Sequence, residues 1–155
     1  MQVAQQGEAI LALKASEVTA DEYQSAWLCA VIEAMQDTML QRQGVGIAAP
    51  QVYWSKRVII VASKPNARYP DAPYMQPIVM LNPEILQASA AQLLGEEGCL
   101  SVPAQRGKVA RSAEITVRYI DLEGTTHIQQ FSGFPARIVQ HEIDHLDGIL
   151  FTERL

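Results

Sequence analysis

The sequence predicts an α+β fold with antiparallel or mixed sheets and a single domain over residues 1–155. Apolar residues recur at helical spacing near each end of the chain, whereas β-branched and alternating segments lie between them. With 155 residues, of which 48% are hydrophobic, the chain is long enough to enclose one core. We therefore expect one helix near each end and strands in the middle.

The first helix is predicted from a capping-box pattern, in which Thr19 is followed three residues later by Glu22. Apolar residues continue at helical spacing until Gly44, which indicates a helix of about 20 residues. Cys29 falls inside this segment and is expected to be a small buried hydrophobe.

Strands are predicted in the middle of the chain. Residues 57–62 are rich in β-branched side chains, and four prolines then mark a surface loop. Asn82, Pro83 and Glu84 indicate a turn or bend between two short extended pieces. Alternation around residues 115–119 and 125–131 predicts a hairpin, with a solvated His127 on its second strand.

The last helix is predicted to begin near residues 132–135, with Pro135 in its first turn, and to end at Gly148. Its His141 and His145 are four residues apart and share one face, with Glu142 between them. This spacing is typical of zinc peptidases, in which two imidazoles hold an ion and the glutamate acts on its water. The final helix should therefore carry a metal site.

Cys99 is the candidate third ligand. One cysteine and two histidines leave a coordination position open for water, which is typical of catalytic sites. The other possibility for Cys99 is a disulfide with Cys29, which a reducing compartment disfavours. We expect one divalent metal per chain, and a mixed thiolate and imidazole set accepts iron, zinc, nickel or cobalt.

Composition limits the partners of the protein. The net charge is -5 and the 12 basic residues are scattered, so direct nucleic-acid binding is not expected. No segment approaches the roughly 20 apolar residues of a membrane span, and the N-terminus lacks a signal-peptide pattern. We expect a cytoplasmic protein without membrane contact, and a monomer rather than an oligomer.

Three motifs occur in a fixed order along the chain. They are G-V-G-I-A-A-P-Q at residues 44–51, E-G-C-L-S at residues 97–101 and Q-H-E-I-D-H at residues 140–145. Together they resemble the peptide deformylase family, whose marks G-x-G-x-A-A-x-Q, E-G-C-L-S and Q-H-E-x-D-H are matched at every stated position. The resemblance implies removal of the formyl group from N-formylmethionyl peptides or nascent chains, with release of formate.

The resemblance also implies roles for individual residues. Glu142 would be general base and then general acid, with the water held by the metal as nucleophile. The side-chain amide of Gln51 and the backbone N–H of Leu100 would stabilise the oxyanion. The metal ligands would be Cys99, His141 and His145, and iron(II) is the favoured ion. The substrate-binding residues would be Gly44, Val45, Gly46, Glu97, Gly98, Phe134 and Ile138.

Some residues depart from the family pattern. Gly95 and Arg137 stand where family members often carry apolar residues beside the pocket for methionine, so the side-chain selectivity is open. A further helix that follows the third motif in many members is missing after His145, and we expect ribosome docking to be weak or absent. If Asp144 is buried, Arg106 and Arg111 are its candidate partners, and Arg111 is the expected one.

Two alternative functions compete with deformylation. One is a zinc endopeptidase of the H-E-x-x-H type, which usually takes its third ligand from a carboxylate or histidine downstream. Cys99 argues against it, because it supplies a thiolate ligand upstream. The other is a non-catalytic module that binds N-terminal peptides, against which Glu142 argues, because a module without catalysis has no need of a base.

Overall fold

The computed structural model describes residues 2–155, which form two α-helices, seven strands and short 3-10 turns. Every strand pair is antiparallel. The α+β prediction is confirmed. It allowed antiparallel or mixed sheets, and both sheets are antiparallel. The elements are β1 (Gly46–Ala48), β2 (Val58–Val61), β3 (Ile78–Ala88), β4 (Gln92–Cys99), β5 (Val102–Ser112), β6 (Glu114–Ile120), β7 (Thr126–Ser132), α1 (Ala26–Gln41) and α2 (Gly133–Leu146).

The five-stranded sheet has the order β1-β2-β3-β6-β7, and β4 and β5 form a separate hairpin. Helix α1 packs on one face of the larger sheet and α2 on the other. The sequence of strand β2 is apolar throughout, and the packing of the strand explains this. Val58 and Ile60 lie in the cluster with α1, whereas Ile59 and Val61 lie in the cluster with α2. Both faces of this strand are buried, so it has no polar face.

The prediction for the first helix was wrong at its start. The capping box at Thr19 begins a short 3-10 turn at Ala20–Glu22, and α1 begins later, where the side chain of Ser25 accepts a hydrogen bond from the N–H of Leu28. Cys29 was predicted to be buried and is exposed. It lies about 100° around the helix from the fully buried Leu28, on the solvent side.

The predicted turn or bend at Asn82 does not separate two short strands, because β3 continues through it. The pairing with β6 shifts register between Leu81 and Glu84, so the irregularity is a bulge within one strand. Asn82 has a positive φ of 50°, and its side-chain amide binds both the N–H and the C=O of Val18 at 2.8 Å. A contact between two residues 64 positions apart in the sequence thus stabilises Asn82, in place of a local turn.

The hairpin predicted around residues 115–131 is confirmed as β6 and β7. His127 lies on β7, and its Nε2 is 2.7 Å from a carboxylate oxygen of Asp121. The hairpin of β4 and β5 was not predicted, because its sequence is polar and lacks a clear alternation. No helix in residues 2–155 has the length and apolar character needed to cross a bilayer.

Candidate metal centre and active site

Helix α2 and strand β4 bring together the three predicted ligands. The ligand atoms of Cys99, His141 and His145 all lie within 4.8 Å of one another, and Cys99 Sγ is 3.3 Å from Nε2 of His145. All three side chains are buried. The histidines meet because four residues span one helical turn, whereas Cys99 arrives from the end of β4, where a register shift follows Gly98.

The electrostatics of the cluster favour a thiolate. Burial opposes ionisation of Cys99, but the neighbouring His145 and His141 outweigh it and hold the pKa of the thiol well below its ordinary value. Metal ligands must be deprotonated, so this environment suits coordination. The donor set therefore fits a borderline or soft divalent ion. Two buried side-chain atoms near the cluster, Glu142 Oε1 and His145 Nδ1, lack a hydrogen-bond partner within residues 2–155.

Glu97 orients His141. Its Oε1 lies 2.9 Å from Nδ1 of His141, which directs the other ring nitrogen towards the cluster. Burial would raise the pKa of Glu97, but hydrogen bonds from Arg111 and His141 outweigh burial and lower it. Resemblance placed Glu97 among the substrate-binding residues. It does line the cleft, but its oxygens are occupied by Arg111, Arg137 and His141, which favours a positioning role.

The predicted ion pair between Arg111 and Asp144 is present, with Nη1 of Arg111 2.6 Å from Oδ2 of Asp144. Arg111 also donates two hydrogen bonds to Glu97, so it links β4 to α2. A second partner of Asp144 was missed. Arg154, near the C-terminus, binds both oxygens of the same carboxylate at 2.6 and 2.9 Å, a contact that no local sequence pattern indicates.

Glu142 is buried and lines the cleft beside the ligands. Burial raises its pKa above the ordinary value, which makes the carboxylate a stronger base. Gly46 provides the space for it. A Cβ atom at Gly46 would lie 2.6 Å from Oε2 of Glu142 and 2.8 Å from a methyl group of Ile138. The glycine that resemblance placed beside the substrate therefore also accommodates the carboxylate of Glu142.

Gln51 is held with its amide nitrogen towards the cluster. Its Oε1 accepts a hydrogen bond from the N–H of Ala48 at 3.0 Å, which orients the group. Its Nε2 donates to Ser101 Oγ at 3.1 Å and lies 3.5 Å from Cys99 Sγ. Leu100 follows the ligand cysteine and lines the same cleft. The first and second motifs thus meet at the ligands carried by the third.

The cleft beside the ligands contains every predicted site residue except His145, which lies deeper. Arg137, which resemblance placed beside the methionine pocket, also lines the cleft, whereas Arg68 and Tyr69 were not in the predicted site. Tyr69 contacts the second motif through its hydroxyl, which accepts a hydrogen bond from the N–H of Gly98 at 3.0 Å. It comes from the proline-rich loop, where sequence shows no functional signal. The lining is Gly44, Val45, Gly46, Gln51, Arg68, Tyr69, Glu97, Gly98, Cys99, Leu100, Phe134, Arg137, Ile138, His141 and Glu142.

Comparison with known proteins gives the family. A family model described as polypeptide deformylase matches residues 1–155. Peptide deformylase 2 of Shewanella oneidensis is 48% identical over 148 residues, which cover 96% of this chain and 80% of the relative. Peptide deformylase 2 of a Nostoc species is 46% identical, over 99% of this chain and 84% of the relative.

Solved structures agree with this family. The class I type b peptide deformylase from Acinetobacter baumannii, bound to Met-Ala-Ser, superposes with a TM-score of 0.98 at 61% identity, covering 100% of this chain and 98% of the other. The Thermotoga maritima peptide deformylase superposes with a TM-score of 0.87 at 34% identity, over 99% and 96% of the two chains. The endopeptidase and the non-catalytic module receive no support from these similarities. The chain belongs to the peptide deformylase family of metal-dependent hydrolases, which act on N-formylmethionyl peptides.

Proposed function

We propose that Cys99, His141 and His145 hold one divalent metal ion and that Glu142 performs the proton transfers of deformylation. The observation that carries this proposal is the buried cysteine–histidine–histidine cluster with the Glu142 carboxylate beside it in the same cleft. A divalent ion bound there would lower the pKa of water to about 7 and would polarise the formyl carbonyl.

Glu142 accepts a proton from the attacking water. The water oxygen forms a bond to the formyl carbon, and the carbonyl oxygen becomes an oxyanion. Glu142 then gives the proton to the amine nitrogen as the C–N bond breaks, which leaves formate and a free amino terminus. A carboxylate whose pKa is raised by burial suits both steps, because it takes up a proton more readily than an exposed one.

Gln51 Nε2 and the backbone N–H of Leu100 are the proposed donors to the oxyanion. The contact between Ala48 and Gln51 fixes the amide before substrate arrives, so little reorganisation is needed during the reaction. Val45, Phe134 and Ile138 line the cleft next to the ligands and provide an apolar slot for the methionine side chain. Gly44 and Gly98 allow the peptide backbone to approach closely.

Iron(II) is the metal that similarity to the family favours, although the donor set also accepts zinc, nickel or cobalt. Iron and its thiolate ligand are both oxidisable, so the iron-loaded enzyme should lose activity in air. The nickel-loaded enzyme provides the matched control, because it contains the same protein with an ion that resists oxidation. Equal aerobic stability of the two forms would contradict the assignment of iron.

The cellular setting follows from charge and thiol chemistry. A thiolate ligand suits a reducing compartment, and we place the enzyme in the cytoplasm as a monomer. Nascent chains are its proposed substrates. We expect weak ribosome association, because the net charge of -5 offers little attraction to a phosphate-rich surface. Co-sedimentation with ribosomes at physiological salt tests this, and tight salt-resistant binding would contradict it.

Formate release from formyl-Met-Ala-Ser tests the proposed reaction directly. The A. baumannii relative binds Met-Ala-Ser, which is the peptide that this reaction would leave. Acetyl-Met-Ala-Ser is the control, since the acetyl group adds a methyl where the formyl group has hydrogen. We expect formate from the first peptide and little acetate from the second. Equal hydrolysis of both, or release of internal fragments, would contradict deformylation.

A further inference from the structure

Tyr69, in the proline-rich loop between β2 and β3, binds the backbone of Gly98 through its hydroxyl group. The hydroxyl accepts a hydrogen bond from the N–H of Gly98 at 3.0 Å and donates to the carbonyl oxygen of the same residue at 3.4 Å. In an antiparallel pair the N–H and C=O of one residue point to the same side, so Gly98 directs both groups away from β5 and towards the loop. One side chain therefore supplies the partners that a neighbouring strand would otherwise provide.

Gly98 is also the residue at which the pairing of β4 with β5 becomes irregular. It lies opposite Arg106, whereas the next residue, Cys99, lies opposite Val102, so three residues of β5 bulge out of the pairing. A bulge leaves backbone groups unpaired and bends the strand. The pairing with β5 therefore does not by itself fix the backbone that leads into Cys99 and Leu100.

The ring of Tyr69 is held in place by its neighbours. It packs against Phe134 of α2 with ring centroids 5.3 Å apart, and the guanidinium carbon of Arg106 lies 4.8 Å from its centroid. The guanidinium carbon of Arg68 lies 5.6 Å from the same centroid. Tilted aromatic pairs and cations over an aromatic face are both favourable. Contacts of the ring alone therefore direct the hydroxyl at Gly98, and Tyr69→Phe removes only the hydrogen bonds.

Asn66 connects the same loop to the first motif. Its Oδ1 accepts hydrogen bonds from the N–H groups of Arg68 and Tyr69, both at 2.9 Å, and its Nδ2 donates to the carbonyl of Gln43 at 3.2 Å. Gln43 directly precedes Gly44, the first residue of the first motif. Asn66 and Tyr69, which we call the loop bridge, therefore join the first motif to the second.

We propose that Tyr69 is a positioning residue for the reaction, which acts through Gly98 to fix the backbone N–H of Leu100, a proposed oxyanion donor. The inference rests on the proposed function. The loop bridge joins the segments that carry the two proposed donors, because Gln51 belongs to the first motif and Leu100 to the second. Donors stabilise an oxyanion best when their positions are held before the charge develops. Tyr69 holds one of them and takes no part in proton transfer.

Tyr69→Phe tests this role through the separate effects on kcat and KM with formyl-Met-Ala-Ser. We expect kcat per bound metal ion to fall by about tenfold with little change in KM, since loss of a whole oxyanion donor costs about 10² to 10³ and displacement of one costs less. Tyr74→Phe is the matched control, because Tyr74 lies in the same loop and is 69% exposed, and its kcat should equal that of the wild type.

Two results of this experiment would overturn the inference. A role of Tyr69 in stability alone would lower the unfolding midpoint and leave kcat per bound metal ion unchanged. A lower KM with unchanged kcat would show that the phenol competes with the peptide for Gly98 rather than positioning the segment.

Amide hydrogen exchange, followed by NMR on the zinc-loaded enzyme without substrate, tests the contact with Gly98 independently of catalysis. In Tyr69→Phe we expect the N–H of Gly98 to exchange about tenfold faster or more, whereas that of Ile59 in the larger sheet keeps its wild-type rate. An unchanged rate at Gly98 would overturn the inference. Equal acceleration at both residues would also overturn it, because it reports a loss of global stability.

Asn66→Asp cuts the loop bridge at its other end and decides the question if Tyr69→Phe does not fold. The carboxylate still accepts from the two N–H groups of the loop but cannot donate to the carbonyl of Gln43. We expect kcat per bound metal ion to fall by about threefold or more with little change in KM, and a wild-type kcat would overturn the inference. If the wild type releases no formate from formyl-Met-Ala-Ser, the proposed function fails, whereas the exchange rate of Gly98 still decides whether Tyr69 holds this segment.

Discussion

Nδ1 of His141 lies 2.9 Å from Oε1 of Glu97, so β4 carries both Cys99, a proposed metal ligand, and the carboxylate that orients His141, another proposed ligand. The two residues are 44 positions apart, and the contact joins the second motif to the third. A fixed imidazole ring loses little freedom when the metal binds, which is why partners of this kind increase metal affinity.

Glu97→Gln should weaken metal binding by about 10-fold to 100-fold, because the amide is a poorer acceptor for the imidazole N–H. The change also removes the charge that Arg137 pairs with and one of the two carboxylates that Arg111 pairs with. Metal affinity is measured by competition with a chelator. Glu96→Gln is the matched control: Glu96 is the adjacent residue, is exposed and pairs only with Arg106 at the surface. Equal affinities of the two variants would show that Glu97 does not support the metal site.

Glu142→Gln should retain the metal and lose turnover by about 10² to 10⁴, which is the usual contribution of a general acid or base. The amide has nearly the shape of the carboxylate but cannot accept the proton. Metal content and formate release are measured on the same sample, with the exposed Glu114→Gln as control. Turnover close to that of the wild type would mean that another group is the base.

Cys99→Ser should lower the affinity for soft and borderline ions, because a hydroxyl group replaces a thiolate. The metal content after purification and after reloading with each ion reports this change. Cys29→Ser serves as control, since Cys29 is exposed on α1 and distant in sequence from the motifs. Unchanged metal content in Cys99→Ser would exclude Cys99 from coordination.

Arg111→Ala should destabilise the fold by about 3–5 kcal/mol, because Glu97 and Asp144 would remain buried without their shared partner. Arg154→Ala removes the other partner of Asp144, but its side chain is 43% exposed. For this control we expect a cost of about 1 kcal/mol or less. Chemical denaturation of both variants measures the difference, and similar losses would show that Arg111 is not central to the network.

Local patterns in the sequence predicted the features of the fold that depend on contacts between residues close together in the chain. The apolar spacing of α2, the four-residue separation of His141 and His145 and the hairpin of β6 and β7 all arise within one short segment. The ordered motifs also predicted the ligand set, which the structure brings together. The placement of charged residues predicted the pairing of Arg111 with Asp144. The start of α1 was wrong, because Thr19 caps a separate turn and Ser25 caps the helix.

Tertiary structure alone decided the features that depend on residues far apart in sequence. Asn82 lies within a strand because its side-chain amide binds Val18. Glu97 remains an ionised acceptor for His141 because Arg111 and Arg137, which come from other elements, donate hydrogen bonds to its carboxylate. The contact of Arg137 with Gly95 depends on how α2 packs against β4, which no spacing within either segment specifies. Helical and strand periods report which face of one element is buried, whereas the partner on that face is selected by packing and by the need to satisfy every buried charge.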